Sequence, residues 1–141
     1  MQLRTNRKMP NSTNFKNAKD KLHVLVVDDD REIAETLRLA LAQEGYEVSV
    51  ASDGNQGLAY VEAKNPDLII LDMMMPRRSG FLVLERMRQV NEFPAPVIMI
   101  TGNEGTRHQE YAEMLGVNDY IHKPFAIERL LKSVDNLLST V

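Results

Sequence analysis

The stretch LIILDMMMP, residues 68–76, decides the fold. Four apolar residues run into one carboxylate, Asp72, and three methionines and a proline follow. An apolar run of this length without alternation reads as a strand covered on both faces. A carboxylate at the end of such a strand is costly unless charged or hydrogen-bonding groups meet it there. Asp72 therefore marks a point where polar residues from other segments are expected to converge.

Working outward, similar short runs recur: LHVLVVD (22–28), EVSVA (47–51), DLIILD (67–72), PVIMIT (96–101) and NDYIH (118–122). Helix-like segments separate them. In the first, about 31–44, Ile33, Leu37, Ala40 and Leu41 share a face, and Gly45 stands where the helix would stop. The middle helices are expected near 55–64, 79–91 and 104–115, with Gly116 closing the last of these. A final stripe of Ile127, Leu130, Leu131, Val134, Leu137 and Leu138 predicts a fifth helix. Five strands alternating with five helices predict an α/β domain, a parallel sheet with helices on both faces. Such sheets place their sites beyond the carboxyl ends of the strands. The polar residues at those ends are Asp28, Asp29 and Asp30 after the first strand, Asp72 after the third, Thr101 and Gly102 after the fourth, and Lys123 and Pro124 after the fifth. Although far apart in sequence, all fall on one rim.

At 141 residues, with 43% hydrophobic and 26% charged residues, the chain is long enough for one domain with its own core. The absence of cysteine excludes disulfides and thiolate metal sites and points to a cytoplasmic setting. No apolar run approaches the ~18 residues of a membrane span. The net charge of −3 is unevenly spread. Arg4, Arg7, Lys8, Lys16, Lys19 and Lys21 against Asp20 give residues 1–21 a charge of +5, leaving −8 for residues 22–141. Residues 1–21, polar and without a hydrophobic signal core, are expected to be a flexible basic tail preceding a domain over 22–141. An acidic body argues against broad nucleic-acid contact.

The elements VVDDD, LDMMMP followed by Gly80, MITG and YIHKPF, at this joint spacing, resemble the receiver domain of response regulators in two-component signalling. The resemblance covers about residues 22–139. It implies a flavodoxin-like doubly wound sheet in the order 2-1-3-4-5. It also implies Mg²⁺ held by Asp29, Asp72 and the backbone carbonyl of Met74, with Asp28 acting through water. Mg²⁺ suits such a site, because it takes hard oxygen ligands and keeps several waters. Asp72 would be the nucleophile that accepts a phosphoryl group, Lys123 would counter charge on the phosphoryl oxygens, and the Thr101 hydroxyl would bond one of them. Lys123–Pro124 resembles the family's cis bond, which would turn the ammonium toward the site. Tyr120 matches a switch aromatic that moves inward as Thr101 shifts.

The function expected is that of a stand-alone response regulator. It would take its phosphoryl group from a phosphohistidine donor, a sensor histidine kinase or a histidine phosphotransfer protein, and catalyse its own phosphorylation and dephosphorylation. The first helix would face the donor. Because the chain ends soon after the last helix, output is expected through protein contacts over about 104–138, with no direct DNA binding, no membrane association, and a homodimer as one option. A phosphorelay intermediate, passing the group on to a histidine phosphotransfer protein, is the alternative within the family. An aspartyl-nucleophile phosphatase of the haloacid dehalogenase type needs a second Asp two residues after the nucleophile, where this chain has Met74. A pseudo-receiver would have lost the acidic, Thr or Lys positions, and all are present.

Other features read as structural. Met73 to Met75 are expected to be loop and packing residues, His23, His108 and His122 surface or edge residues, and SDGNQG (52–57) a strand–helix turn rather than a phosphate cradle. By the same resemblance, Met74 and Asn103 flank the path of the hydrolytic water. A Met there positions water poorly, whereas Asn103 could orient one; Met74 is expected to dominate, so that the phosphoryl group is longer-lived than in a variant carrying Asn at 74.

Overall fold

The computed structural model describes residues 22–75, 79–90, 93–102 and 106–139. The expected basic tail, Pro76 and Asn103 lie outside the described residues. In chain order the elements are β1 (His23–Val27), α1 (Arg31–Gln43), β2 (Glu47–Ala51), α2 (Gly54–Lys64), β3 (Leu68–Asp72), α3 (Gly80–Glu85) running into a π-helical turn (Arg86–Val90), β4 (Val97–Thr101), α4 (Thr106–Met114), β5 (Asp119–His122) and α5 (Ile127–Leu138). The strands form one sheet in the order β2-β1-β3-β4-β5, and every pairing is parallel. This is the flavodoxin-like order expected.

The unbroken apolar runs have a direct cause. Leu25, Val27, Ile69, Leu71, Val97 and Met99 pack on one face of the sheet, against Leu58 and Val61 of α2, Val83 and Leu84 of α3, and Ala112 of α4. Their neighbours Val24, Val26, Leu68, Ile70, Ile98 and Ile100 pack on the other, against Ala34, Leu37 and Leu41 of α1 and Leu130 and Val134 of α5. Both faces of β1, β3 and β4 are therefore covered, so successive residues are equally apolar. Burying each such side chain contributes about 1.5–3 kcal/mol. Truncating a central one, such as Ile70→Ala, would cost about 2–5 kcal/mol.

Helix ends follow local chemistry. Gly45 and Gly116 take positive φ values, 98° and 94°, where the sequence predicts α1 and α4 to end. Asp53 caps α2 by accepting from the Gln56 N–H at 2.9 Å. The segment expected to be helical over 79–91 is α-helical only to Glu85. Its last turn widens to π geometry, with Met87 buried in the core and the Arg88 guanidinium donating to the carbonyls of Phe93, Ala95 and Gly116.

Candidate functional site

Three consecutive aspartates follow β1, and the structure gives each a different task. Asp30 is the N-cap of α1, its Oδ1 accepting from the backbone N–H groups of Glu32 at 3.0 Å and Ile33 at 3.2 Å. Asp28 is buried, and its Oδ1 accepts from the Asp30 N–H at 2.9 Å. Asp29, between them, is exposed. The turn thus fixes one carboxylate inward and leaves the next facing solvent.

Asp72 closes β3 on the neighbouring strand, 3% exposed, with its Oδ1 accepting from the Met74 N–H at 3.3 Å. Carboxylate oxygens of Asp28, Asp29 and Asp72 lie within 4.8 Å of one another. The Lys123 Nζ stands between two of them, 3.4 Å from Asp28 Oδ2 and 3.6 Å from Asp72 Oδ1. Lys123 is held at this end of the sheet by its own N–H, which donates to the Thr101 carbonyl at 2.7 Å, and the Lys123–Pro124 bond is cis. Burial, and then the Asp28 carboxylate beside it, push the Asp72 carboxyl up to about 7, against the opposing pull of Lys123 and the Met74 N–H. An open cleft of about 580 Å³ lies above, lined by Asp29, Asp30, Asp72, Met74, Gly102 and Lys123.

Of the residues expected at the site, Asp28, Asp29, Asp72, Met74 and Lys123 are brought together at one rim. Thr101 is fully buried at the tip of β4, outside the cleft lining. Its side chain hydrogen-bonds Tyr120, which is also buried and donates from its hydroxyl to Met73 Sδ at 3.7 Å. Burial raises the Tyr120 phenol above its ordinary range. The methionines part company here. Met73 is 1% exposed and Met75 packs against the core, as expected of packing residues, whereas Met74 is 60% exposed at the cleft mouth.

Two contributions gain their physical reason only from the structure, although Gly80 already belongs to the motif quoted above. Capping falls to Asp30 rather than Asp28, and only the start of α1 distinguishes the two. Gly80, at the start of α3, donates its N–H to the Met73 carbonyl at 2.8 Å. A Cβ there would stand 2.8 Å from Met73 Cα and closer still to the Asp72 carbonyl oxygen. Only glycine lets α3 approach the backbone that carries Asp72. The sequence signal is a lone glycine eight residues after the acid.

The cluster fits a small divalent cation. With all three carboxylates ionised, as a bound cation would favour, they exceed the one ammonium by two negative charges; the donors are hard oxygens, and the cleft leaves room for water.

Comparison with known proteins identifies the family and the fold. The model of the response regulator receiver domain matches residues 24–135. Transcriptional regulatory protein DltR of Streptococcus agalactiae is 40% identical over 113 residues, covering 80% of this chain and 50% of that protein. Response regulator MprA of Mycolicibacterium vanbaalenii is 37% identical over 117 residues, covering 83% of this chain and 50% of that one. Among solved structures, the receiver domain of the Francisella response regulator 1452 superposes with a TM-score of 0.81 at 32% identity, covering 85% of this chain and 98% of that one. Chemotaxis protein CheY4 of Vibrio cholerae gives 0.78 at 31% identity, with 83% and 98% covered.

The chain spans about half the length of the curated relatives it matches. That overturns the expectation of a stand-alone regulator whose output is confined to protein contacts over about 104–138, without DNA binding. The expectation rested on where the chain ends, yet relatives that include a transcriptional regulatory protein carry about as much chain again. No helix among the described residues is long and apolar enough to cross a membrane. The matched span begins in β1 and ends in α5, and so takes in every strand that delivers a carboxylate, a threonine or a lysine to the rim; the chain belongs to the response-regulator receiver family of two-component signalling.

Proposed function

We propose that Asp72 accepts a phosphoryl group from a phosphohistidine donor in a Mg²⁺-dependent reaction. The observation that carries this reading is the position of Asp72: a buried carboxylate at the tip of the central strand, facing a second buried carboxylate, with an ammonium 3.6 Å away and an open cleft above. Asp28, Asp29, Asp72 and the Met74 carbonyl would hold the cation, which when bound supplies positive charge to the phosphoryl oxygens. The ionised Asp72 oxygen attacks phosphorus, an O–P bond forms, and the P–N bond to the donor imidazole breaks, the imidazole leaving with a proton. Lys123 is within reach of both buried carboxylates and so of charge gathering beside them. A second cleft, of about 550 Å³ and mainly apolar, adjoins the site between α1 and the loop after β5, where Ile33, Leu37, Pro124, Phe125 and Ile127 meet. Its position beside Lys123 suits it to seat the donor's helix.

Incubating wild type and Asp72→Asn with acetyl phosphate and Mg²⁺ and weighing the intact proteins tests the assignment. One phosphoryl group on the wild type and none on the variant is expected. Equal uptake by the variant would refute it.

A further inference from the structure

Among the described methionines, Met73, Met87 and Met99 are at most 1% exposed, while Met74 and Met114 are 60% and 80% exposed. Only Met74 lines the cleft that holds Asp72 and Lys123. Its thioether is thus open to small oxidants at the mouth of the cleft that holds Asp72. Asp28, Asp29, Asp30 and Asp72 against Lys123 give this region a negative field. It disfavours anionic oxidants and admits neutral ones, hydrogen peroxide among them.

We infer that Met74 is a redox-sensitive modification site, oxidised by hydrogen peroxide to the sulfoxide, and that its oxidation shortens the lifetime of the phosphoryl group on Asp72. The inference rests on the reading of Asp72 as the phosphoacceptor. In the oxidation, the sulfur attacks one peroxide oxygen, an S–O bond forms and the O–O bond breaks. The departing hydroxide takes up the remaining proton and leaves as water. The sulfur loses two electrons and the peroxide gains them. The consequence follows from the acceptor chemistry. A thioether accepts hydrogen bonds weakly and orders no water. A sulfoxide is polar, with an oxygen that accepts strongly. Placed at the cleft mouth, it holds water where the thioether excluded it. Because sulfoxide reductases reverse the change, the site would tie signal duration to oxidant level.

The test uses the full chain. After graded hydrogen peroxide, peptide mapping is expected to find sulfoxide at Met74 and Met114 before Met73, Met87 or Met99. Oxidised and untreated protein are then phosphorylated with acetyl phosphate and Mg²⁺, the donor is removed, and loss of phosphate is followed by intact mass. Loss about 10-fold faster after oxidation is expected, the scale of a small change in barrier. Met74→Leu should show no response to peroxide, Met114→Leu should keep it, and methionine sulfoxide reductase should restore the slow loss. Late oxidation of Met74, equal lifetimes, or a response surviving in Met74→Leu would each overturn the inference while leaving Asp72 as acceptor. Phosphate uptake by Asp72→Asn would overturn the reading of Asp72 itself.

Discussion

Gly80→Ala separates the packing of α3 from the chemistry of Asp72. An alanine Cβ would lie 2.8 Å from Met73 Cα and 3.0 Å from the Asp72 carbonyl carbon. Ordinary contact begins at 3.4 Å and the Asp72 carbonyl oxygen would be nearer than either atom, so the backbone at Asp72 and Met73 must retreat by at least about 0.6 Å, more than the ~0.5 Å within which a catalytic group must be held. Misplacement by ~1 Å can lower a rate ~100-fold, so phosphorylation by acetyl phosphate is expected to slow about 10- to 100-fold. Helix propensity works the other way, since alanine gains up to ~1 kcal/mol over glycine inside a helix. Overpacking costs about 1–3 kcal/mol, which leaves a modest net loss in urea denaturation. Gly102→Ala is the control for stability, because a Cβ there meets nothing within 4 Å. If Gly80→Ala took up phosphate at the wild-type rate with an unchanged urea midpoint, the argument that α3 sets the position of Asp72 would be wrong.

The raised Asp72 carboxyl predicts a pH effect of definite sign. Between its ordinary 3.8 and about 7, the folded state holds a proton that the unfolded state releases, so stability falls as pH rises through that window and is level above it. Without divalent cation, Asp72→Asn should therefore be more stable than wild type at pH 8, by roughly 2–4 kcal/mol, and nearly equal to it at about pH 4; an advantage that grew toward acid pH would reverse the assignment. Mg²⁺ at about 100 times its dissociation constant should stabilise the wild type by ~2.7 kcal/mol, and Asp29→Ala should need much more Mg²⁺ for the same rise in melting temperature. Met74→Asn, which replaces a thioether by a group able to hold water, should lose its phosphoryl group about 10-fold faster than wild type once the donor is removed. Equal rates would show that this side chain does not govern the water path.

The strands and most of the rim were legible in the residues for one reason, whereas the strand order came only from the family resemblance. A parallel sheet covered on both faces leaves unbroken apolar runs such as VLVV and LIIL, and a polar residue ending such a run stands out. Asp28, Asp72 and Thr101 could each be found in this way, whereas Lys123 follows the polar His122 and was marked by its place after the fifth strand and by the YIHKPF resemblance. The division of labour within the rim was not legible. Asp28, Asp29 and Asp30 are chemically identical, and which one caps, which is buried and which is exposed depends on where α1 begins. Nor do three identical methionines reveal which faces water, because the chain leaves the strand at Met73 and the period of two no longer applies. Thr101 and Tyr120 were both marked, but their mutual hydrogen bond depends on the register that pairs Thr101 with His122. Arg88 gave no signal, since its partners are backbone carbonyls, which every residue has.

Arg88 has a mechanical consequence. Its guanidinium gathers the carbonyls of Phe93 and Ala95, just before β4, and of Gly116, just before β5, while Asn118 accepts from the Val97 N–H at 2.9 Å. Both strands are clamped where they begin. Five residues at ~3.3 Å each put Thr101 roughly 15 Å from that clamp, and the Lys123 N–H to the Thr101 carbonyl couples the two far ends. β4 is also paired along its length with β3, up to the Met73 N–H that donates to the Ile100 carbonyl at 2.9 Å, so a tilt at the clamp reaches the tip through that ladder, where Thr101 and Lys123 are tied together. Loosening the anchor with Arg88→Ala would leave every group at the rim in place chemically and still blur the position from which Lys123 meets its carboxylates.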